Sequence, residues 1–235
     1  MIQRLFTACL CFALLYQAAA TTLSKAEIEG RRYAQELLKQ SPVENSTLNG
    51  VLKIRDANKR RYEVPVQCSI IANQTNSQAI YQTTSTTDSP AANLIITFNG
   101  TNQNRYELNG TLVPNADVAV PFAGSDFWLV DLGLEFLHWP DQQIVTNRMR
   151  KGQSCTVLES TNPAPHANDY DRVVSWVDRD TGGIIYAEAY NSKGKRVKEY
   201  DLKKMKKVHG QWQVQEMRID NLQTGSRTDL IFNTD

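Results

Sequence analysis

The sequence predicts a mainly β (α+β) protein, built on a large antiparallel sheet that curls over its own apolar face. Three observations predict it. From Arg172 onward, strand candidates follow one another at Arg172 to Asp178, Ile184 to Tyr190, Arg196 to Leu202, Gln211 to Asp220 and Thr228 to Phe232, separated by glycine-bearing turns. Upstream, shorter apolar runs are punctuated by the turn dipeptides Asn99-Gly100 and Asn109-Gly110. Only two stretches carry helical periodicity, too few to cover so much sheet. The sheet must therefore close over its own apolar side as a barrel, a half-barrel or a sandwich.

The first twenty residues stand apart from that fold. Arg4 precedes an apolar stretch, Leu5 to Tyr16, that is too short for a bilayer span, and Ala18-Ala19-Ala20 offers small residues for a signal peptidase. Residues 1 to 20 read as a secretory signal peptide and residues 21 to 235 as a single domain, free in the exported compartment. Ser24 and Glu27 then have the spacing of a capping box, and Ile28, Ala34, Leu37 and Leu38 mark the apolar stripe of a helix interrupted at Gly30. Strand-like runs follow at Val51 to Ile54, Tyr62 to Ile71, Ala79 to Thr84, Leu94 to Phe98 and Arg105 to Leu108, with a polar loop or hairpin tip from Thr83 to Pro90.

Residues 125 to 139 break the strand rhythm. Ser125 can cap a helix that Pro140 ends, with Leu129, Leu132, Phe136 and Trp139 on one face and Asp131, Glu135 and His138 in a narrow polar stripe. Trp128, Val130, Leu134 and Leu137 widen the apolar face beyond what a surface helix needs. Such a helix either caps the β core or lids an apolar cavity. In the meander that follows, period-two alternation sets Ile184, Tyr186, Glu188 and Tyr190 against Ile185, Ala187 and Ala189.

Composition removes several classes of function. The 235 residues carry 26 Lys and Arg against 25 Asp and Glu. Loss of residues 1 to 20 takes away Arg4 and no acid, which leaves no formal net charge. A chain without basic excess has no bulk attraction for nucleic acid, and none is expected as a partner. There is no Gly-x-Ser-x-Gly, His-Glu-x-x-His, phosphate loop or dinucleotide Gly-x-Gly-x-x-Gly, so no catalytic residue, cofactor or enzymatic activity is assigned. His138, His166 and His209 are scattered and no Cys-x-x-Cys pair exists, so no metal site is assigned either. Asp131 with Glu135, and Asp178 with Asp180, read as a helix's polar stripe and a turn's acids. Cys68 and Cys155 are the two cysteines left after export, and in an oxidising compartment they either pair as a disulfide or remain buried apolar thiols. A basic run from Lys193 to Lys207, near Tyr190, Tyr200 and Trp212, reads as the solvated side of a hairpin that guards a sheet edge, with docking to an anionic surface as the alternative.

The runs Ala123-Gly124-Ser125-Asp126-Phe127-Trp128, Asp131-Leu132-Gly133-Leu134-Glu135-Phe136-Leu137-His138-Trp139-Pro140 and Cys155-Thr156-Val157-Leu158-Glu159-Ser160 resemble the bacterial outer-membrane lipoprotein-sorting proteins, within the LolA/LolB-like superfamily. Val174-Ser175-Trp176-Val177-Asp178, Ala187-Glu188-Ala189-Tyr190, Lys207-Val208-His209-Gly210-Gln211-Trp212 and Asn221 to Thr228 carry the same resemblance. It implies an unclosed antiparallel β-barrel around an apolar cavity with helices as a lid. It further implies a periplasmic carrier of lipoprotein acyl chains or other lipids, passed between membrane-bound donor and acceptor proteins. On that reading Trp128, Leu129, Leu132, Phe136 and Trp139 are the candidate lipid-binding residues. The alternative is a non-enzymatic envelope scaffold with a filled half-barrel. A bacterial source would leave the Asn-x-Ser/Thr triplets at Asn45, Asn73, Asn99 and Asn109 without glycans.

Overall fold

A computed structural model of the chain describes residues 23–233 apart from 41, 43, 74, 75, 167, 168, 209 and 210. The signal-peptide expectation and the His209-Gly210 turn lie outside the described residues. Helix α1 spans Lys25–Leu38, and the capping box at its start forms as expected: the Ser24 amide donates to Glu27 Oε2 at 2.6 Å while Ser24 Oγ accepts from the Glu27 amide at 3.3 Å.

Thirteen strands then form one sheet. They are β1 (Ser46–Arg55), β2 (Arg61–Ile71), β3 (Ser77–Thr83), β4 (Ala92–Phe98), β5 (Arg105–Leu108), β6 (Thr111–Val113), β7 (Asp141–Arg150), β8 (Gln153–Thr161), β9 (Arg172–Asp178), β10 (Ile184–Tyr190), β11 (Arg196–Val208), β12 (Gln211–Asn221) and β13 (Arg227–Phe232). Their order in space is β6-β5-β4-β3-β2-β1-β13-β12-β11-β10-β9-β8-β7. Two meanders, β1 to β6 and β7 to β13, are thus joined by the antiparallel pairing of β1 with β13, in which Leu52 faces Leu230. Every pairing is antiparallel, and β6 and β7 stand at opposite ends of the sheet, which does not close into a barrel.

Alternation decides what lies inside. Leu52 and Ile54 of β1, Val64 and Val66 of β2, Leu94 and Ile96 of β4, and Leu230 and Phe232 of β13 point into one hydrophobic core, while Lys53 and Arg55 point away from it. The segment between β6 and β7, residues 114 to 140, fills the rest of that core with Phe122, Phe127, Leu129, Val130, Phe136 and Leu137. It connects one end of the sheet to the other across the apolar face, and we call it the strap.

The strap is not the single helix that residues 125 to 139 suggest. After a first 3-10 turn at Asn115–Asp117 it holds one turn of α-helix, α2 (Leu129–Leu132), and a second 3-10 turn at Glu135–His138, these two separated by Leu134 at φ 50°. The cause is tertiary. A Cβ on Gly133 would lie 2.0 Å from Tyr106 Oη, so the strap approaches β5 at a distance only glycine permits, and the chain turns there. Ser125 makes a local turn to the Phe127 amide (3.2 Å) and caps no helix; Asp131 takes the capping role, accepting from the Trp128 amide at 2.9 Å.

The two cysteines do not pair. Cys68 on β2 and Cys155 on β8 are buried free thiols in separate hydrophobic clusters, with six strands between them in the sheet order. Of the two alternatives open from the sequence, the buried apolar thiol is the one observed. Burial pushes the Cys68 thiol up to about 11.

Candidate ligand cavity and its buried lysine

Between the strap and strands β9 to β12 lies a cavity of about 270 Å³. Phe127, Leu132 and Phe136 line it from the strap, and Ala187, Ala189, Tyr200, Leu202 and Met217 from the sheet. Two small residues at Ala187 and Ala189 on β10 leave the space that larger side chains would have closed.

One cation is set into this apolar wall. Lys198 of β11 shares a strand face with Tyr200 and Leu202, and its side chain is only 4% exposed. Its ammonium donates to the Asp126 carbonyl at 2.8 Å, lies 3.4 Å from Asp131 Oδ2, and sits 3.5 Å from the centroid of the Trp128 ring. Trp128 in turn stacks on Tyr170 at 5.2 Å with the rings 6° apart. The Tyr170 hydroxyl donates to Asp131 at 3.0 Å. Burial lowers the Lys198 pKa to about 8, although Asp131 and Asp126 pull it the other way.

The strap is pinned beside that corner. The Asp126 carboxylate accepts from Ser226 Oγ and, at 2.9 Å, from Thr228 Oγ1 on β13, while the Asp126 amide donates back to Thr228 Oγ1 at 2.9 Å.

A second pocket, again about 270 Å³, opens on the other side of the strap among Asn115, Val130, Glu135, His138, Trp139 and Tyr170. Glu135 is buried and accepts from Tyr106 Oη at 2.9 Å and from Asn115 Nδ2 at 2.8 Å. Burial raises its pKa against the opposing effect of those hydrogen bonds.

The five candidate lipid-binding residues therefore part company. Leu132 and Phe136 reach the cavity, Trp139 lines the second pocket, Leu129 is wholly enclosed in the core, and Trp128 roofs the lysine. Lys198, Asp131 and Tyr170 were not singled out as a group. The available signal was the alternation of β11, which puts Lys198 at the same parity as Tyr200 and Leu202 and so marks a lysine on an apolar face. The remainder of the basic run behaves as a solvated hairpin: Lys193, Lys195, Lys203, Lys204 and Lys207 are exposed, and Lys203 pairs with Asp201. Among the described residues, no group of three His, Cys, Asp or Glu could hold a metal ion.

An open antiparallel sheet wrapped on a strap, with an apolar cavity between them, is a LolA-like fold, and solved structures share it. The chain belongs to a family described as "Uncharacterized protein", which matches residues 113–234. A putative outer membrane lipoprotein-sorting protein domain from Vibrio parahaemolyticus is similar to it at TM-score 0.73 and 19% identity, over 88% of this chain and 92% of that one. A DUF1329 family protein from Desulfovibrio piger gives TM-score 0.72 and 18% identity over 90% and 92%. A LolA superfamily protein from Nitrosomonas europaea gives 0.60 and 14% over 90% and 93%. No match is found among curated proteins.

Proposed function

We propose that the protein is a periplasmic, non-enzymatic carrier that shelters the acyl chains of lipoproteins or other lipids between sheet and strap. The observation that carries this reading is the apolar cavity lined by Leu132, Phe136, Ala187, Ala189 and Met217. Acyl chains enter such a space at a gain of roughly 0.8 kcal/mol per buried CH₂. At about 270 Å³ the cavity is smaller than most pockets that engulf a whole ligand, which run from roughly 300 to 1,000 Å³. Full loading then requires the strap to shift. Membrane-bound donor and acceptor proteins complete the cycle; the fold shared with a putative outer membrane lipoprotein-sorting protein domain from Vibrio parahaemolyticus supports the carrier reading.

Native mass spectrometry of envelope-derived protein, without detergent, should show a lipid adduct, and the apo protein should take up a fluorescent fatty acid. Ala189→Trp fills the cavity from β10 and is expected to weaken that uptake by about tenfold or more. Ile28→Ser, at an exposed position on α1, should leave it unchanged. A homogeneous apo mass together with no uptake would reject the carrier and favour the second reading, an envelope scaffold. The dense filling of the core by Phe122, Phe127, Leu129 and Val130 speaks for that alternative.

A further inference from the structure

The face of the sheet turned away from the core carries charges in rows, because antiparallel register places one residue from each strand side by side, about 4.8 Å apart. One row runs Arg218, Asp229, Lys53, Glu63 across β12, β13, β1 and β2. Its signs alternate, and its members pair: Arg218 with Asp229, and Lys53 with Glu63 at 3.4 Å.

The next row on the same face does not alternate. It runs Asp220, Arg227, Arg55, Arg61 across the same four strands. Asp220 pairs with Arg227, which leaves two further arginines side by side. Arg55 gives one Nη2 bond to the Gly225 carbonyl at 3.3 Å, and Lys59 Nζ reaches the same carbonyl at 3.0 Å, bringing a fourth cation to the spot. Arg55 Nε is buried without a hydrogen-bond partner. Among the described residues Arg61 has neither an ion-pair nor a hydrogen-bond partner, and its side chain is exposed. A groove of about 380 Å³ is lined by Arg55, Arg61 and Arg227, and by the paired Lys53, Glu63, Arg218 and Asp229 of the first row.

Like charges placed directly opposite one another destabilise a sheet, and a buried guanidinium nitrogen without a partner adds to that cost. An anion seated in the groove relieves the repulsion. A carboxylate has two oxygens and satisfies one guanidinium fork, whereas a phosphate group has enough oxygens and charge to engage several forks together. We propose that Arg55, Arg61 and Arg227, with Lys59 beside them, form a binding site for a phosphate group on the outer face of the sheet. The site is independent of the cavity and of what the cavity carries.

Isothermal titration of the mature chain with inorganic phosphate, against chloride at matched ionic strength, tests it. Saturable binding at one site is expected. Arg61→Ala, at an exposed position that leaves the fold intact, should weaken it by about tenfold or more, and Arg55→Lys, which keeps the charge and loses the fork, should do the same. Lys193→Ala, a surface cation on the β10–β11 turn, should change nothing. Co-sedimentation with phosphatidylglycerol vesicles, against phosphatidylcholine vesicles, separates the sources of the phosphate. Vesicle binding that is lost in Arg61→Ala assigns a lipid headgroup; phosphate binding without vesicle binding assigns a free or small-molecule phosphate. Phosphate that binds no better than chloride, or binds equally well to Arg61→Ala, overturns the proposal.

Discussion

Lys198 holds its ammonium under the Trp128 ring and beside Asp131, and that placement sets a pH dependence. Burial brings its pKa down to about 8 in the folded protein, against 10.5 for an ordinary lysine. Between those values the unfolded chain binds more protons than the folded one, so this group makes stability rise with pH through the window. Below about 8 both states are protonated and the full cost of the buried charge is present. Urea unfolding of wild type and Lys198→Met at pH of about 7.5 and 9.5 should show wild type gaining on the variant at the higher pH. A difference equal at both values would place the ammonium in solvent. The basic run reads as solvated throughout, and at Lys198 the structure corrects that reading: it shares the parity of Tyr200 and Leu202 and is buried, and its partners carry no local signal. Asp131 and Tyr170 are 39 positions apart in sequence, and no local pattern announces that the hydroxyl of one meets the carboxylate of the other.

At the scale of elements, α1 is the part that local sequence determines best. Its capping box forms, since it depends on contacts within one turn; of the expected stripe Ala34 and Leu37 are buried with Gly30, whereas Ile28 is exposed. Gly30, which looks like a flaw in the stripe, is where the helix meets β7: a Cβ there would lie 2.6 Å from the Gln142 carbonyl oxygen and from Gln143 Cα. Helix propensity alone makes Gly30→Ala stabilising by about 1 kcal/mol. The backbone contact reverses the sign, and a net loss of roughly 1–3 kcal/mol in urea unfolding is expected; a neutral or stabilised variant would mean that α1 rides further from β7. The strap shows the opposite case. Its spacing of apolar residues satisfies a helix over residues 125 to 139, yet Tyr106 occupies the space beside Gly133 and the chain bends. Strand β7 escaped sequence reading for another reason: most of its residues are exposed on both faces, so no apolar alternation marks it.

For the whole molecule, the meander from Arg172 onward was readable because each strand pairs with its sequence neighbour through a short turn. The pairing of β1 with β13, which turns two meanders into one sheet, has no such local signature. That seam lies in the middle of the sheet and β6 and β7 at its ends, so hydrogen–deuterium exchange should be slowest in β1, β12 and β13 and fastest in β6 and β7. Protection of β7 beyond that of β13 would contradict the strand order. The strap gives this open sheet a mechanical character of its own. It is a tether tied to both free ends, and Asp126 clips it to β13 partway along. Slack drawn from one length is not passed to the other while the clip holds. Both pockets are lined by the length beyond the clip, Leu132 and Phe136 on the cavity and Val130, Glu135 and Trp139 on the polar pocket, so they are two sides of one swinging door and a movement that widens one reshapes the other.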